Sequence, residues 1–505
     1  MKPIKYLFLL SVVVVLFAGC DDDFLVQTNM NELNQELYWQ DEGDVLQAIT
    51  ATYSQLQADD RWAWFEYHYV AQSYRSDLIR ATRKDLPYAQ RIANFTYSSD
   101  NISFGALWED YYNGIFYANQ VIENVPGMEG MDQAKKDEFV GEAKFLRGYY
   151  YLTLVTLFKN IPLVTTIPET SDDYYAAQVA PETIWTQIIE DFKEAKNTLP
   201  SSWSADFEGR ATKWTAQGYL GKAYMFLERF SEAADEFEDV ITQGPYDLLN
   251  TFTHNFDGSY ENGVESLFEI QHTAARPNGF TESTPMYNEQ APGAMGGWEE
   301  FFPSDWLFNL MLTDTSAAGD LSGRALGTVF FDHPQSSADG VTYSSIKNEL
   351  GVEKVFFKKY LYSNDISDGT LSRSGMNIHL MRYADVLLMH AEALNETDKT
   401  AQAIPFVNQV RARSGSAPIA SGMNKSQLRD HLRNVERPLE FAMEYGIRWF
   451  DLARWNKDSN FSIKQTLTNH AKPDAANFQE GKHEIYPIPL SEMNKNDKLT
   501  QNPNY

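Results

Sequence analysis

The sequence predicts a mostly α-helical protein in which a helical-repeat scaffold carries a large loop-rich portion. Three observations support this prediction. Apolar residues recur at helical spacing along much of the chain, and two segments match a repeated helix-pair pattern. Long stretches between the helices are rich in Gly, Pro, Ser, Asn and aromatic residues. A content of 43% hydrophobic and 22% charged residues is typical of a globular protein.

The first 19 residues have the features of a secretory signal peptide. Lys2 and Lys5 precede an apolar run over residues 7–17, which is too short for a comfortable membrane span. Cys20 is the single cysteine of the chain, and it follows two small residues, so residues 16–20 resemble a bacterial lipobox. We therefore expect cleavage after residue 19 and lipidation of Cys20, which would anchor a mature domain over residues 20–505. The alternative is an ordinary signal peptide with an incidental cysteine.

Apolar residues at helical spacing predict nine helices in the mature domain. Asp41 is a candidate N-cap of the first helix, and Pro181 suits the first turn of the fourth. The predicted helices cover residues 44–57, 107–125, 135–158, 181–199, 211–227, 231–242, 380–394, 401–413 and 425–445.

A tetratricopeptide-like pattern covers residues 217–245. Gly221 and Ala233 are small at positions where the two helices of such a repeat approach each other. The other matching residues are Leu220, Tyr224, Phe237 and Pro245. Residues 384–415 resemble a degenerate second copy, so we expect helix pairs over 211–245 and 380–415. Two units are too few for a free-standing solenoid, so further helix pairs should complete the stack.

Two loop-rich segments, residues 61–104 and 244–375, are candidates for a binding face. Irregular segments of this length inside a compact helical protein are usually functional. They carry many of the chain's 11 Trp, 28 Tyr and 31 Phe residues, whose flat apolar faces suit the C–H face of a sugar ring.

Charge and motif content argue against several classes of function. The formal net charge of −28 disfavours nucleic acid as a partner. The nine His residues follow no metal-ligand spacing, and no phosphate-binding glycine loop is present, so we predict neither a metal nor a cofactor. Glu436, Glu440 and Glu444 recur every four residues, as an acid–base pair could. The alternative, which we favour, is that arginines pair with them, with Arg437, Arg448 and Arg454 as the nearby candidates.

Five segments of the chain form a recognisable set: Glu142–Tyr151, Arg382–Leu388, Glu436–Trp455, Tyr486–Pro489 and Gln501–Tyr505. Together they resemble the SusD/RagB family of outer-membrane nutrient-binding lipoproteins, with Asn504 where Gly is usual. The resemblance implies a non-catalytic, tetratricopeptide-based scaffold with a variable ligand face. It also implies a lipid-anchored position on the surface of the outer membrane, over a SusC-like, TonB-dependent transporter as partner. The usual ligands of the family are oligosaccharides, and some members take peptides.

Candidate ligand-binding residues follow from the aromatic loops and from the resemblance. Trp298 follows a Gly–Gly pair and Tyr287 lies shortly before it, where family members present stacking aromatic rings. The segment 77–88 matches a second ligand-facing loop, in which the candidate residues are Asp77, Arg80, Arg83 and Tyr88. The alternative places Trp298 and Tyr287 in a hydrophobic cluster under the loops.

The sequence thus favours a surface glycan-binding lipoprotein that delivers its ligand to a transporter and is not an enzyme. Three alternatives remain open at this point. They are a peptide-capturing member of the same family, a lipoprotein glycoside hydrolase or lyase, and a structural lipoprotein that uses its repeats only for protein contacts.

Overall fold

The computed structural model describes residues 38–57, 64–82, 86–274, 282–363 and 374–505. The predicted signal peptide and Cys20 lie outside these ranges. Helices dominate the described residues, and every strand in them has five residues or fewer, so the predicted mostly α-helical class is confirmed. None of the helices in this part of the chain is both long and apolar enough to cross a membrane.

Eight long helices form the scaffold of the described part of the chain. They are α1 (Glu42–Ser54), α2 (Ile102–Asn124), α3 (Gln133–Phe158), α4 (Pro181–Thr198), α5 (Lys213–Phe226), α6 (Phe230–Gln243), α7 (Tyr383–Glu396) and α8 (Thr400–Arg413). Shorter α-helices cover Val70–Ser73, Pro87–Ala93, Ser171–Tyr174, Met286–Gln290, Asp305–Thr313, Gly323–Thr328, Tyr343–Ile346, Lys425–His431, Arg437–Phe441, Ile447–Trp455, Ile463–Asn469 and Leu490–Lys495. Two π-helices cover Trp64–Tyr69 and Leu432–Glu436.

Local sequence signals explain where these helices begin. The Asp41 side chain accepts hydrogen bonds from the backbone N–H groups of Gly43 and Asp44, and Asp44 completes the reciprocal capping box. Pro181 occupies the first turn of α4, where the missing N–H costs nothing. Both predicted start signals are confirmed.

Each long helix packs against the next one along the chain, from α1 to α8. The segments 211–245 and 380–415 each fold as a packed helix pair, although residues 380–382 belong to a strand. Gly221 explains the close approach of α5 and α6, because a Cβ atom there would lie 2.6 Å from the Phe237 ring. Gly148 on α3 similarly faces the ring of Phe192 on α4. The tetratricopeptide identity of the pairs stays a prediction.

The strands form four two-stranded antiparallel sheets within the described ranges. Two of these sheets join segments that are far apart in sequence. The pairs are β1 (Ile79–Ala81) with β3 (Phe301–Pro303), β2 (Ser266–Ile270) with β8 (Ile378–Arg382), β4 (Val329–Phe330) with β7 (Phe356–Phe357), and β5 (Ser337–Ala338) with β6 (Val341–Thr342). The strand β8 runs directly into α7, which is why the sequence-based helix over 380–394 began three residues too early.

A second hydrophobic cluster lies under the loop-rich segment 282–363, apart from the main core. It is built from Tyr287, Ala291, Phe302, Phe330, Ala338, Tyr343, Ile346, Leu350, Phe356 and Leu361. The predicted loop-rich segment 244–375 thus contributes to both clusters, since Phe301, Val329 and Phe357 belong to the main core. The other predicted loop segment, 61–104, is more helical than expected, since three short helices cover much of residues 64–93.

A buried network of ion pairs connects the loop-rich segment to α8 and the C-terminal helices. Arg324 Nε lies 2.7 Å from Asp314, and Arg324 Nη1 lies 2.6 Å from Glu436. Arg382 Nη2 lies 2.6 Å from Glu444. Burying an unpaired charge costs several kcal/mol. These cations and carboxylates can be buried because each has a partner of opposite charge. The members are the cations Arg324, Lys359, Arg382, Arg411 and Arg413, and the carboxylates Glu265, Asp314, Glu436, Glu440 and Glu444.

The structural interpretation of Glu436, Glu440 and Glu444 is therefore correct, but the predicted arginine partners are wrong. Arg437, Arg448 and Arg454 pair instead with other carboxylates, namely Asp385, Asp451, Asp77 and Glu392. The predicted helix over 425–445 also ends too late. The helix ends at Phe441 and Met443 has a φ of 73°, so Glu444 lies beyond the helix.

We expect Gly221→Ala to lower the free energy of unfolding by about 1–3 kcal/mol, because the added methyl group would overlap the Phe237 ring. In a helix free of such contacts, alanine is more favourable than glycine by about 1 kcal/mol. Urea unfolding followed by circular dichroism measures the difference. Gly127→Ala is the control, since a Cβ atom there meets nothing within 4 Å. A Gly221→Ala chain as stable as the original would contradict the close packing of α5 on α6.

We expect the stability to fall as the pH drops from about 4.5 to about 2. Burial alone would raise the pKa of Glu440, but Arg413, Arg382 and Arg324 outweigh it and lower the pKa to about 2. A depressed folded-state pKa contributes stability above the unfolded value and loses it as the carboxylate is protonated. For Glu440 alone, the loss amounts to about 3 kcal/mol. Urea midpoints measured between pH 7 and pH 2 check this, and a flat profile below pH 4.5 would contradict it.

Candidate functional site

The structure brings the two predicted ligand-binding segments together. Strand β1, from the first segment, pairs with β3, which follows Trp298, and Arg80 lies opposite Phe302. The backbone N–H of Thr82 donates to the Glu300 carbonyl at 3.0 Å, which extends the contact beyond the strands. Residues more than 200 positions apart in the sequence therefore share one surface, which we call the loop face: residues 79–82, 86–88 and 291–303, together with Lys354.

Trp298 is the large exposed aromatic residue of the loop face. Its side chain is 44% exposed, whereas most other tryptophans of the described chain are buried. The Trp298 backbone N–H donates to the Asn288 carbonyl at 2.8 Å, and Asn288 Nδ2 donates to the Gly296 carbonyl at 2.7 Å. These bonds close the loop 288–298 and hold the indole at its rim.

The backbone conformation of the loop requires the two glycines before Trp298. Gly296 has a φ of 82°, in the left-handed region that glycine adopts without strain. A Cβ atom on Gly297 would lie 2.0 Å from the Ala291 carbonyl oxygen, so only glycine allows this backbone crossing. The close neighbour of Gly297 is therefore the protein's own backbone.

A partly exposed ion pair involves Glu299, the residue that follows Trp298 in the chain. Lys354 Nζ lies 2.6 Å from Glu299 Oε2, and Glu299 Oε1 accepts from the Gly293 N–H at 3.0 Å. The pair offers a cationic donor and an anionic acceptor next to an apolar ring, which is the combination that a sugar hydroxyl and a sugar C–H face require. Sequence reasoning missed both residues. Glu299 could have been found from its place next to Trp298, but Lys354 gave no local signal.

Tyr287 is not available to a ligand. Its ring is 2% exposed and belongs to the second hydrophobic cluster, and its hydroxyl donates to Asp339 at 3.1 Å. Burial and the nearby Asp339 carboxylate raise the pKa of the phenol above its usual range. The packing alternative is thus correct for Tyr287, which supports the loop face from below.

Asp77 is also placed inside the protein, and the prediction that it binds ligand is wrong. Arg448 donates to both of its oxygens, at 2.8 and 2.6 Å, and His470 Nδ1 lies 2.6 Å away. Burial would raise the pKa of Asp77, but Arg448 outweighs that effect and holds the pKa well below the usual range. The carboxylate therefore ties β1 to the C-terminal helices.

The remaining predicted residues differ in their surroundings. Arg80 is exposed, and its guanidinium carbon lies 5.5 Å from the centre of the Phe302 ring. Tyr88 is half-buried and its ring centre lies 6.1 Å from that of Tyr67. Arg83 lies outside the described residues. Trp298 and Arg80 thus remain the exposed candidates, with Tyr88 at the edge.

No described group of three or more His, Cys, Asp or Glu side chains is arranged to hold a metal ion. The side chains of the loop face offer stacking, hydrogen bonding and charge.

Two family models match the chain. A model described as "SusD family" matches residues 265–505, and a model described as "Starch-binding associating with outer membrane" matches residues 23–225. Together the matched residues cover most of the chain.

Individual relatives align over almost their whole length. SusD-like protein P2 of Formosa agariphila is 27% identical over 533 aligned positions, which span 99% of this chain and 100% of the relative. A SusD superfamily protein from Bacteroides vulgatus has a TM-score of 0.82 at 26% identity, covering 93% of this chain and 100% of that one. A laminarin-binding SusD-like protein has a TM-score of 0.75 at 25% identity, covering 92% and 100% respectively.

Proposed function

Since the chain belongs to the SusD/RagB family, we propose that it is a cell-surface glycan-binding lipoprotein that passes oligosaccharides to a SusC-like, TonB-dependent transporter. The observation that carries the proposal is the exposed indole of Trp298 beside the Glu299–Lys354 pair. A structural neighbour that binds laminarin supports carbohydrate as the ligand class. The family model whose description includes association with the outer membrane supports the location.

The proposed binding mode is stacking of a pyranose ring on Trp298, with hydroxyl groups bonded to the charged side chains around it. One aromatic face and a few hydrogen bonds predict a dissociation constant between about tens of micromolar and 1 mM, or about −4 to −6 kcal/mol. Weak binding suits a protein that must release its ligand to a transporter. In this proposal the chain makes and breaks no covalent bond of the glycan.

We expect Trp298→Ala to weaken oligosaccharide binding about tenfold or more, because truncating a central aromatic contact costs about 2 kcal/mol. Isothermal titration with soluble oligosaccharides of glucose, mannose, galactose and xylose, laminarihexaose among them, measures the change. Trp298→Phe should retain part of the affinity.

The matched control is Tyr260→Ala, which removes another exposed aromatic ring, one that stacks on His254 away from the loop face. Equal affinities for the Trp298→Ala chain and the original would contradict the stacking site. Release of shorter sugars from any member of the panel would contradict the absence of catalysis.

We expect Cys20→Ser to release the protein from the membrane fraction, because Cys20 is the only residue that a thioether-linked lipid could use. Cell fractionation and mass spectrometry of the mature N-terminus measure the loss of the anchor. A Ser11→Ala chain controls for changes in the signal peptide. Membrane retention of the Cys20→Ser chain would show that another element holds the protein there.

A further inference from the structure

A second cleft, which we call the α2 cleft, lies on elements that contribute nothing to the loop face. It has a volume of about 420 Å³, within the range of sites for small ligands. Its walls come from one face of α2, the segment 162–176 and the C-terminal segment 492–499. The residues that line it include Trp108, Tyr112, Tyr174, Tyr175, Glu492 and Lys495.

The inner wall of the α2 cleft is formed by the half-buried ring of Tyr112, which packs on the buried Trp108. The ring centres of Trp108 and Tyr112 lie 5.0 Å apart, and Trp108 also packs edge-to-face on Phe158 at 5.1 Å. The Tyr112 hydroxyl donates to the Pro162 carbonyl at 2.8 Å. These contacts lock the rings in place, so a ligand would not lose affinity by ordering them.

The outer wall exposes two adjacent tyrosines. Tyr174 is 63% exposed and Tyr175 is 43% exposed, an unusual amount of aromatic surface to leave in water. The short helix that carries Tyr174 is held by a capping box, in which Asp173 accepts from the Thr170 N–H at 2.8 Å. Asn496 Nδ2 donates to the Ala176 carbonyl at 2.9 Å and fastens the segment to the C-terminal wall.

The rim of the α2 cleft carries both hydrogen-bond donors and acceptors. Lys495 Nζ lies 2.9 Å from Glu492 Oε1, and the exposed side chains of Glu109 and Asn113 line the same cleft. Aromatic faces surrounded by carboxylate, ammonium and amide groups match the apolar face and the hydroxyl rim of a pyranose. The same combination occurs on the loop face, around Trp298.

We propose that the α2 cleft is a second carbohydrate-binding site, which holds a hexopyranose unit between Tyr174, Tyr175 and the half-buried ring of Tyr112. The ligand class rests on the proposed function, whereas the location rests on the geometry of the cleft alone. Two separate sites would let one chain hold a polysaccharide at two points, so that long glycans bind more tightly than either site allows.

The test measures sugar binding to four forms of the full mature chain, purified in detergent. The forms are the original chain, Trp298→Ala, the double variant Tyr174→Ala with Tyr175→Ala, and the triple variant. Saturation-transfer NMR with the same panel of glucose, mannose, galactose and xylose oligosaccharides detects weak sites. We expect the Trp298→Ala chain to retain weak sugar binding. The triple variant should bind sugar at least tenfold more weakly than the Trp298→Ala chain. Tyr260→Ala on the Trp298→Ala background is the matched control and should leave the retained binding unchanged.

The other outcomes separate this proposal from the proposed function. If Trp298→Ala alone abolishes all binding, the α2 cleft is not a sugar site and the loop face stands. If the double variant abolishes binding while Trp298→Ala has no effect, the α2 cleft stands and the loop face is wrong. Binding of no sugar to the original chain would overturn both. If the triple variant binds sugar as well as the Trp298→Ala chain does, Tyr174 and Tyr175 contribute nothing to sugar binding and the second site is overturned.

Discussion

A balanced set of charges, sealed from water, fixes the relation between the loop-rich segment and the helical scaffold. Arg324 comes from the loop-rich segment, Arg382 from the strand before α7, and Glu436 and Glu440 from the C-terminal helices. Each group needs partners from other segments, because a buried ion with one partner missing costs about 3–5 kcal/mol. The charges of the network can therefore be buried at low cost only when the segments that carry them have packed together.

The loop face depends on this arrangement through Asp77 and β1. The Asp77–Arg448 pair joins the start of β1 to the C-terminal helices, and β1 in turn pairs with the strand that follows Trp298. The indole is thus held by a chain of contacts that runs from the scaffold through one ion pair and one short sheet. The second hydrophobic cluster, with Tyr287 in it, supports the same loop from below. A rigid platform of this kind reduces the entropy lost when a ligand binds.

Local signals predicted the helical scaffold well, whereas the site was predicted only in part. The roles of Asp41, Pro181 and Gly221 depend on residues nearby in the sequence or on the regular spacing of a helix repeat. The sequence alone is therefore enough to predict them. Tyr287 and Asp77 were misjudged because their burial depends on segments more than 50 positions away. The partners of Glu440 were missed for the same reason. Asn504 stands where the SusD/RagB family usually has glycine. Its φ is 69°, a conformation that asparagine tolerates better than most residues.

The separation of the two hydrophobic clusters has a consequence for how such a protein can diversify. Side chains around Phe330, Tyr343 and Phe356 can be exchanged without opening a cavity among the stacked helices, since these side chains belong to the second cluster and not to the main core. The helical scaffold would then tolerate mutations that change the ligand-binding surface, because its stability depends on the main core. Evolution could vary the cargo of this architecture while leaving its folding nearly untouched.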